Sequence, residues 1–103
     1  MIIGEKMFDI SKVTGINEYT TKTEKVGEKS RVLYLKGEKV FLVENKNTIE
    51  IRTDLELKKL LVEKYESVME SRYFGKGGVE IVMAGQLDEN ELLDLVRLSY
   101  NLS

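Results

Sequence analysis

The sequence predicts a two-layer α+β domain: an antiparallel sheet of four or five strands with two or three helices packed on one face. Three observations predict it. Short runs of β-branched and aromatic residues alternate with Gly and Asn turns between Ser30 and Arg52. Two later segments place apolar residues three and four apart behind acidic capping signals. A chain of 103 residues also holds one continuous core more readily than two. Two amphipathic helices and one half-apolar sheet bury their stripes together only as stacked layers.

The strand signals come first. Val32 and Tyr34 form one candidate and Val40, Phe41 and Val43 the next, on either side of Lys36, Gly37, Glu38 and Lys39. Gly37 supplies the backbone freedom for a hairpin turn there. A second turn at residues 44–47 leads into a strand where Ile49 and Ile51 share one face and Glu50 and Arg52 the other. These three strands make a meander. Val79 to Met83 reads as a further strand between glycines, and residues 16–26 read as an exposed strand. Ile2, Ile3, Met7, Phe8, Ile10 and Val13 keep no period for long, so they read either as a short helix or as an irregular cover on the sheet.

Thr53, Asp54, Leu55 and Glu56 open the first helix, with Thr53 as the cap and Glu56 returning the bond. It should run to about Glu66, presenting Leu57, Leu60, Leu61, Lys64, Tyr65 and Val68 to the sheet. Asp88 to Glu91 repeat the capping pattern before a final helix whose face is Leu92, Leu95, Val96 and Ser99, widened by Leu93, Tyr100 and Leu102.

Composition removes several function classes. The chain has no His and no Cys, which excludes His-based proton transfer, Cys nucleophiles, disulfides and the usual zinc sites. No metal or other cofactor is expected, and the chain reads as non-enzymatic. Glu63, Glu66 and Glu70 could collect a hard cation if brought together, but an ordinary solvated helix face is the favoured account of them. No apolar run approaches the roughly 18 residues that span a bilayer, so a cytoplasmic protein without membrane contact is the expectation. Residues 1–76 carry 15 basic and 13 acidic side chains, a balance of +2, whereas residues 77–103 carry one Arg and five acids, a balance of −4. A polyanion would have to meet the first segment.

Two constellations fit such a partner. Lys36, Lys39 and Lys46 surround the two hairpin turns, with Arg31 and Arg52 on the same strands. If the turns lie together they could follow a duplex backbone, and if not they are solvated turns. The segment Arg72, Tyr73, Phe74, Gly75, Lys76, Gly77, Gly78 joins two cations, two aromatics and a glycine-rich loop. Gly75, Gly77 and Gly78 could let backbone approach phosphate while the rings stack on bases. Alternatively the rings enter the core and the glycines only let the chain pass. Lys76 is followed by Gly77, so this is not a nucleotide-triphosphate loop.

The stretches LYLKGEKVFLVE, IEIRTDLELKKLLVEKYESVM and VEIVMAGQLDENELLDLVRLSYNL, in this order, resemble the YjbR/MmcQ-like family. The Arg52, Thr53, Asp54 junction and the Asp94 to Tyr100 ending carry much of that likeness. It covers roughly residues 28–103 of a single domain spanning 1–103, leaving residues 1–27 poorly matched. The resemblance implies a frataxin-related fold and DNA binding through a double wing. Under it, the Lys36 to Lys39 turn and neighbouring loops take the wing role; joined with the reading of the glycine-rich segment, Lys36, Lys39, Lys46, Arg72 and Lys76 are the residues expected to meet nucleic acid. The alternative is a small protein-interaction or regulatory domain without nucleic-acid activity, covering either a partner's surface or a second copy in a homodimer.

Overall fold

The computed structural model describes residues 8–103. These form strands β1 (Thr20–Val26), β2 (Lys29–Lys36), β3 (Lys39–Glu44), β4 (Thr48–Arg52), β5 (Val68–Ser71) and β6 (Gly75–Val82), with helices α1 (Leu55–Lys64) and α2 (Glu89–Leu102). The sheet order is β1-β2-β3-β4-β6-β5, and every neighbouring pair is antiparallel. The α+β class matches the sequence reading, but six strands replace the expected four or five.

The uncounted strand is β5. Val68 lies three residues after Tyr65 and so fits the helical stripe, yet α1 stops at Lys64, where the Tyr65 N–H closes on the Leu61 carbonyl. Val68 then pairs with Ile81 instead of continuing the helix. The preceding cap also moves by one residue. Asp54, not Thr53, accepts the Leu57 N–H, while the Thr53 hydroxyl is buried without a partner. Leu60 faces solvent although the periodicity assigned it to the sheet; Leu61 carries that burial.

α2 follows its local signals. Asp88 and Glu91 form the reciprocal capping box, and Leu92, Leu95, Val96 and Ser99 are buried. Leu93 and Tyr100 pack at the margin of the core, whereas Leu102 is exposed. The apolar side chains of α2, with Leu61 from α1, meet Ile49, Ile51, Val79 and Ile81 on one sheet face. Each fully buried side chain of this size contributes roughly 1.5–3 kcal/mol. Ile10 and Val13, around a 3₁₀ turn at Ile10–Lys12, close the same core from the N-terminal side. Ile2, Ile3 and Met7 lie outside the described residues.

A bulge sets how α2 sits. The β2–β3 register shifts between Tyr34 and Leu35, so Leu42 faces Tyr34, Val40 faces Leu35, and Phe41 has no opposite residue. Phe41 and Leu42 both enter the core. Ser99 of α2 donates its hydroxyl to the Phe41 carbonyl at 2.6 Å and accepts the Arg52 N–H at 2.8 Å. One hydroxyl thereby joins the helix to β3 and β4. Nearby, Glu44 is buried and accepts the Tyr34 hydroxyl at 2.7 Å and the Phe8 N–H at 3.0 Å. Burial, reinforced by that carboxylate, pushes the Tyr34 phenol well above its ordinary value.

Candidate functional site

Lys46 stands apart from the other basic residues. Lys36 and Lys39 flank the β2–β3 turn, whereas Lys46 lies in the β3–β4 turn. Successive turns of a meander fall at opposite ends of the strands, here separated by the six residues of β3, or about 20 Å. Lys36 turns toward α2: its Nζ is 3.2 Å from the Tyr100 carbonyl and 4.5 Å from the Tyr100 ring centroid. A cation there complements the negative end of the helix. Lys39, Lys46 and Lys76 are exposed.

The glycine-rich segment is not a loop. Gly75, Gly77 and Gly78 belong to β6, where Gly78 faces Arg52 and the Gly77 carbonyl accepts the Thr53 N–H. The turn at residues 72–74 folds back over the sheet face opposite the helices. Phe74 joins Leu35 around a second buried cluster of Leu33, Val40 and Val43. Tyr73 meets Phe74 edge-on at 5.0 Å, Arg31 lies over Tyr73, and Arg52 lies over Phe74. Phe74 therefore covers this apolar floor, whereas Tyr73, packed edge-on against it, stays exposed.

Two carboxylates lie beneath this turn. Glu50 and Glu80 face each other across β4 and β6, only 1% and 2% exposed. Glu50 accepts the Ser71 hydroxyl at 2.7 Å, the Tyr73 N–H at 2.9 Å and the Asn45 amide at 2.9 Å. Glu80 accepts two Arg72 N–H groups at 2.9 and 2.7 Å and the Thr48 hydroxyl at 2.7 Å. Burial works to raise the Glu80 carboxyl, but the bonds from Arg72 and Thr48 outweigh it and hold it below its ordinary value. The same pair raises Arg72. Every oxygen of both carboxylates has a donor, so the cluster latches the turn onto the sheet. It also commits the Arg72 guanidinium, assigned above to phosphate, to Glu80.

Sequence reasoning placed Glu50 on a solvated strand face and gave Glu80 no role. Each is an isolated acid in an alternating strand, which is also how an exposed strand reads. The fold-back of residues 72–74 brings the Tyr73 N–H and the Arg72 guanidinium onto them.

The three acids weighed for a hard cation do not form a metal site. Glu63 is in α1, Glu66 follows it, and Glu70 is in β5, bound to Lys58 at 2.6 Å. That ion pair, together with the Lys76 charge, lowers the Glu70 carboxyl. Among the described residues, no group of three or more acidic side chains is arranged to hold a metal ion, and no helix is long and apolar enough to cross a membrane.

A different surface stands out on α1. An open groove of about 560 Å³ runs between its outer side and β5, lined by Leu55, Lys58, Lys59, Val62, Glu63 and Glu70 with Glu56. Leu55 is 70% exposed and Val62 38% exposed. With 3.6 residues per turn, Leu55 projects about 120° and Val62 about 100° away from Leu61, the residue that anchors α1 to the core, so the two share an exposed flank of the helix. No family model, curated protein or solved structure matches the chain.

Proposed function

We propose that the chain is a small protein-interaction domain that docks a partner on the outer side of α1, beside the edge strand β5. The observation that carries this reading is the placement of Leu55 and Val62 together on an exposed flank of α1, lining one groove. A surface helix needs one apolar stripe, and Leu57 and Leu61 already supply it. A second apolar pair, bordered by Lys58 and Lys59 and by Glu56, Glu63 and Glu70, suits a protein segment with apolar anchors flanked by both signs of charge. The role is one of binding, not catalysis.

The competing reading is DNA binding by a YjbR-like double wing. It rests on the motif resemblance of residues 28–103, which no family model matches, and on the exposed Lys39 and Lys76. The engagement of Lys36 and Arg72, and the position of Lys46 at the far end of the meander, count against it.

The test compares affinity capture by the wild-type chain with capture by Leu55→Glu/Val62→Glu, after circular dichroism has established equal stability. Retention of a discrete partner by the wild type and its loss by the variant is the expected result. Identical capture by the two proteins overturns the reading. So does a saturable duplex-DNA complex that weakens with salt and with Lys39→Glu/Lys76→Glu while the α1 variant leaves it intact.

A further inference from the structure

β1 is a terminal strand of the sheet and runs for seven exposed or half-exposed residues, Thr-Thr-Lys-Thr-Glu-Lys-Val. Its pairing with β2 is regular from Thr20 to Val26, without a bulge. Among the described residues, no strand pairs with its other side. Edges of this length usually carry a protective device such as Pro, a bulge or a covering element, because their free N–H and C=O groups recruit another strand. Here the chain has no Pro at all, and the only deterrents on the edge are Lys22 and Lys25, with Glu24 between them.

That charge order selects a partner. We propose that a second copy of this chain pairs with β1 antiparallel about a twofold axis at Thr23, joining two six-stranded sheets into one. In this register Thr23 faces Thr23 of the other copy, Thr21 faces Lys25, Thr20 faces Val26, and Lys22 faces Glu24 on both sides of the axis. Both charged pairs are then attractive, and all seven residues are matched. Moving the axis to Lys22, Glu24 or Lys25 sets two like charges directly opposite each other, which destabilises a cross-strand pair. Moving it to Thr21 leaves Lys22 facing Thr20 and brings Glu24 opposite Glu18.

The backbone agrees with the same axis. The two-residue turn at Gly27 and Glu28 makes Val26 and Lys29 a hydrogen-bonded pair, so bonding alternates along the ladder from there. Thr21, Thr23 and Lys25 consequently aim their N–H and C=O groups at the open edge. These are the residues that a Thr23-centred pairing needs. Lys22 and Glu24 then occupy the non-hydrogen-bonded positions, where side chains approach most closely. Glu24 already holds Arg31 at 2.6 Å, so a Lys22 from the second copy would extend an existing ion pair on that face.

Sedimentation equilibrium of the full chain, across micromolar to millimolar concentration, tests this register with a charge-swap pair. The wild type is expected to rise from 11.8 kDa toward twice that mass. Lys22→Glu and Glu24→Lys should each weaken self-association on the order of tenfold, because each faces like charge in its own dimer. An equimolar mixture of the two should recover wild-type association or exceed it, since every facing pair becomes opposite in sign. Thermal melts confirm that both variants remain folded. A wild type that stays monomeric at millimolar concentration overturns the proposal, as do variants that self-associate like the wild type or a mixture that shows no recovery.

Discussion

Substituting Ala at each glycine of the 75–78 segment separates a structural role from a phosphate-cradling one. An added Cβ at Gly78 would overlap the Ile51 carbonyl on the neighbouring strand and would lie 2.9 Å from the Phe74 Cβ. The first atom belongs to the central ladder and the second to the roof over Leu33, Val40 and Val43, so neither yields without moving a core. Overpacking of this kind costs about 1–3 kcal/mol. At Gly77 the nearest atom is the Phe74 carbonyl at 3.6 Å, an ordinary contact. There the reduced entropy of the unfolded chain should offset or exceed any loss, by about 0.4–1 kcal/mol. Gly75 falls between them, since its space is open but its φ of 61° strains an L-residue. Urea denaturation with a shared m-value should rank Gly78→Ala least stable, Gly75→Ala intermediate and Gly77→Ala near the wild type. For a domain of this size the Gly78 effect corresponds to a melting shift of roughly 5–20 °C. A Gly78→Ala protein as stable as Gly77→Ala would refute the packing argument.

Three further outcomes follow from the same geometry. Ser99→Ala removes the bond to the Phe41 carbonyl and the acceptor of the Arg52 N–H, so equilibrium unfolding should show a loss of about 2–4 kcal/mol; a loss below about 0.5 kcal/mol would mean that this hydroxyl does not hold α2 to β3 and β4. Thr53→Val replaces a buried, unpartnered hydroxyl with a methyl group and should raise stability by up to about 1–2 kcal/mol in the same assay, whereas destabilisation would mean the hydroxyl has a partner. Glu80 has a depressed folded-state pKa, so its stabilising contribution is present above the ordinary carboxylate value near 4.3 and is lost as pH falls through the lower folded value. Unfolding free energy measured from pH 6 down to pH 3 should fall less steeply in Glu80→Gln than in the wild type, and an unchanged slope would remove Glu80 from the acid response.

Legibility varied with how local each signal was. α2 could be read almost whole, because Asp88, Glu91 and the Leu92, Leu95, Val96, Ser99 face act within a few turns of one another. α1 was readable as a helix but not in its details. Thr53 and Asp54 are adjacent and chemically equivalent as caps, and the strand ladder decided between them by holding the Thr53 N–H on Gly77. Leu55, Leu60 and Val62 blur its stripe, and that same departure from amphipathicity is what exposes the proposed docking surface. The basic turns were correctly identified as turns, but their separation depends on which end of a strand each occupies.

The residues alone determined an α+β chain without His or Cys chemistry, the central meander, and both helices, since these rest on composition, side-chain period and capping within short spans. Tertiary structure decided the pairing of β5, the burial of Glu50 and Glu80, the fold-back of Tyr73 and Phe74, and the open edge of β1. Those features arise from which distant segments become neighbours. Pairing energy between strands, unlike period or capping, is a property of two segments at once and is not written in either one.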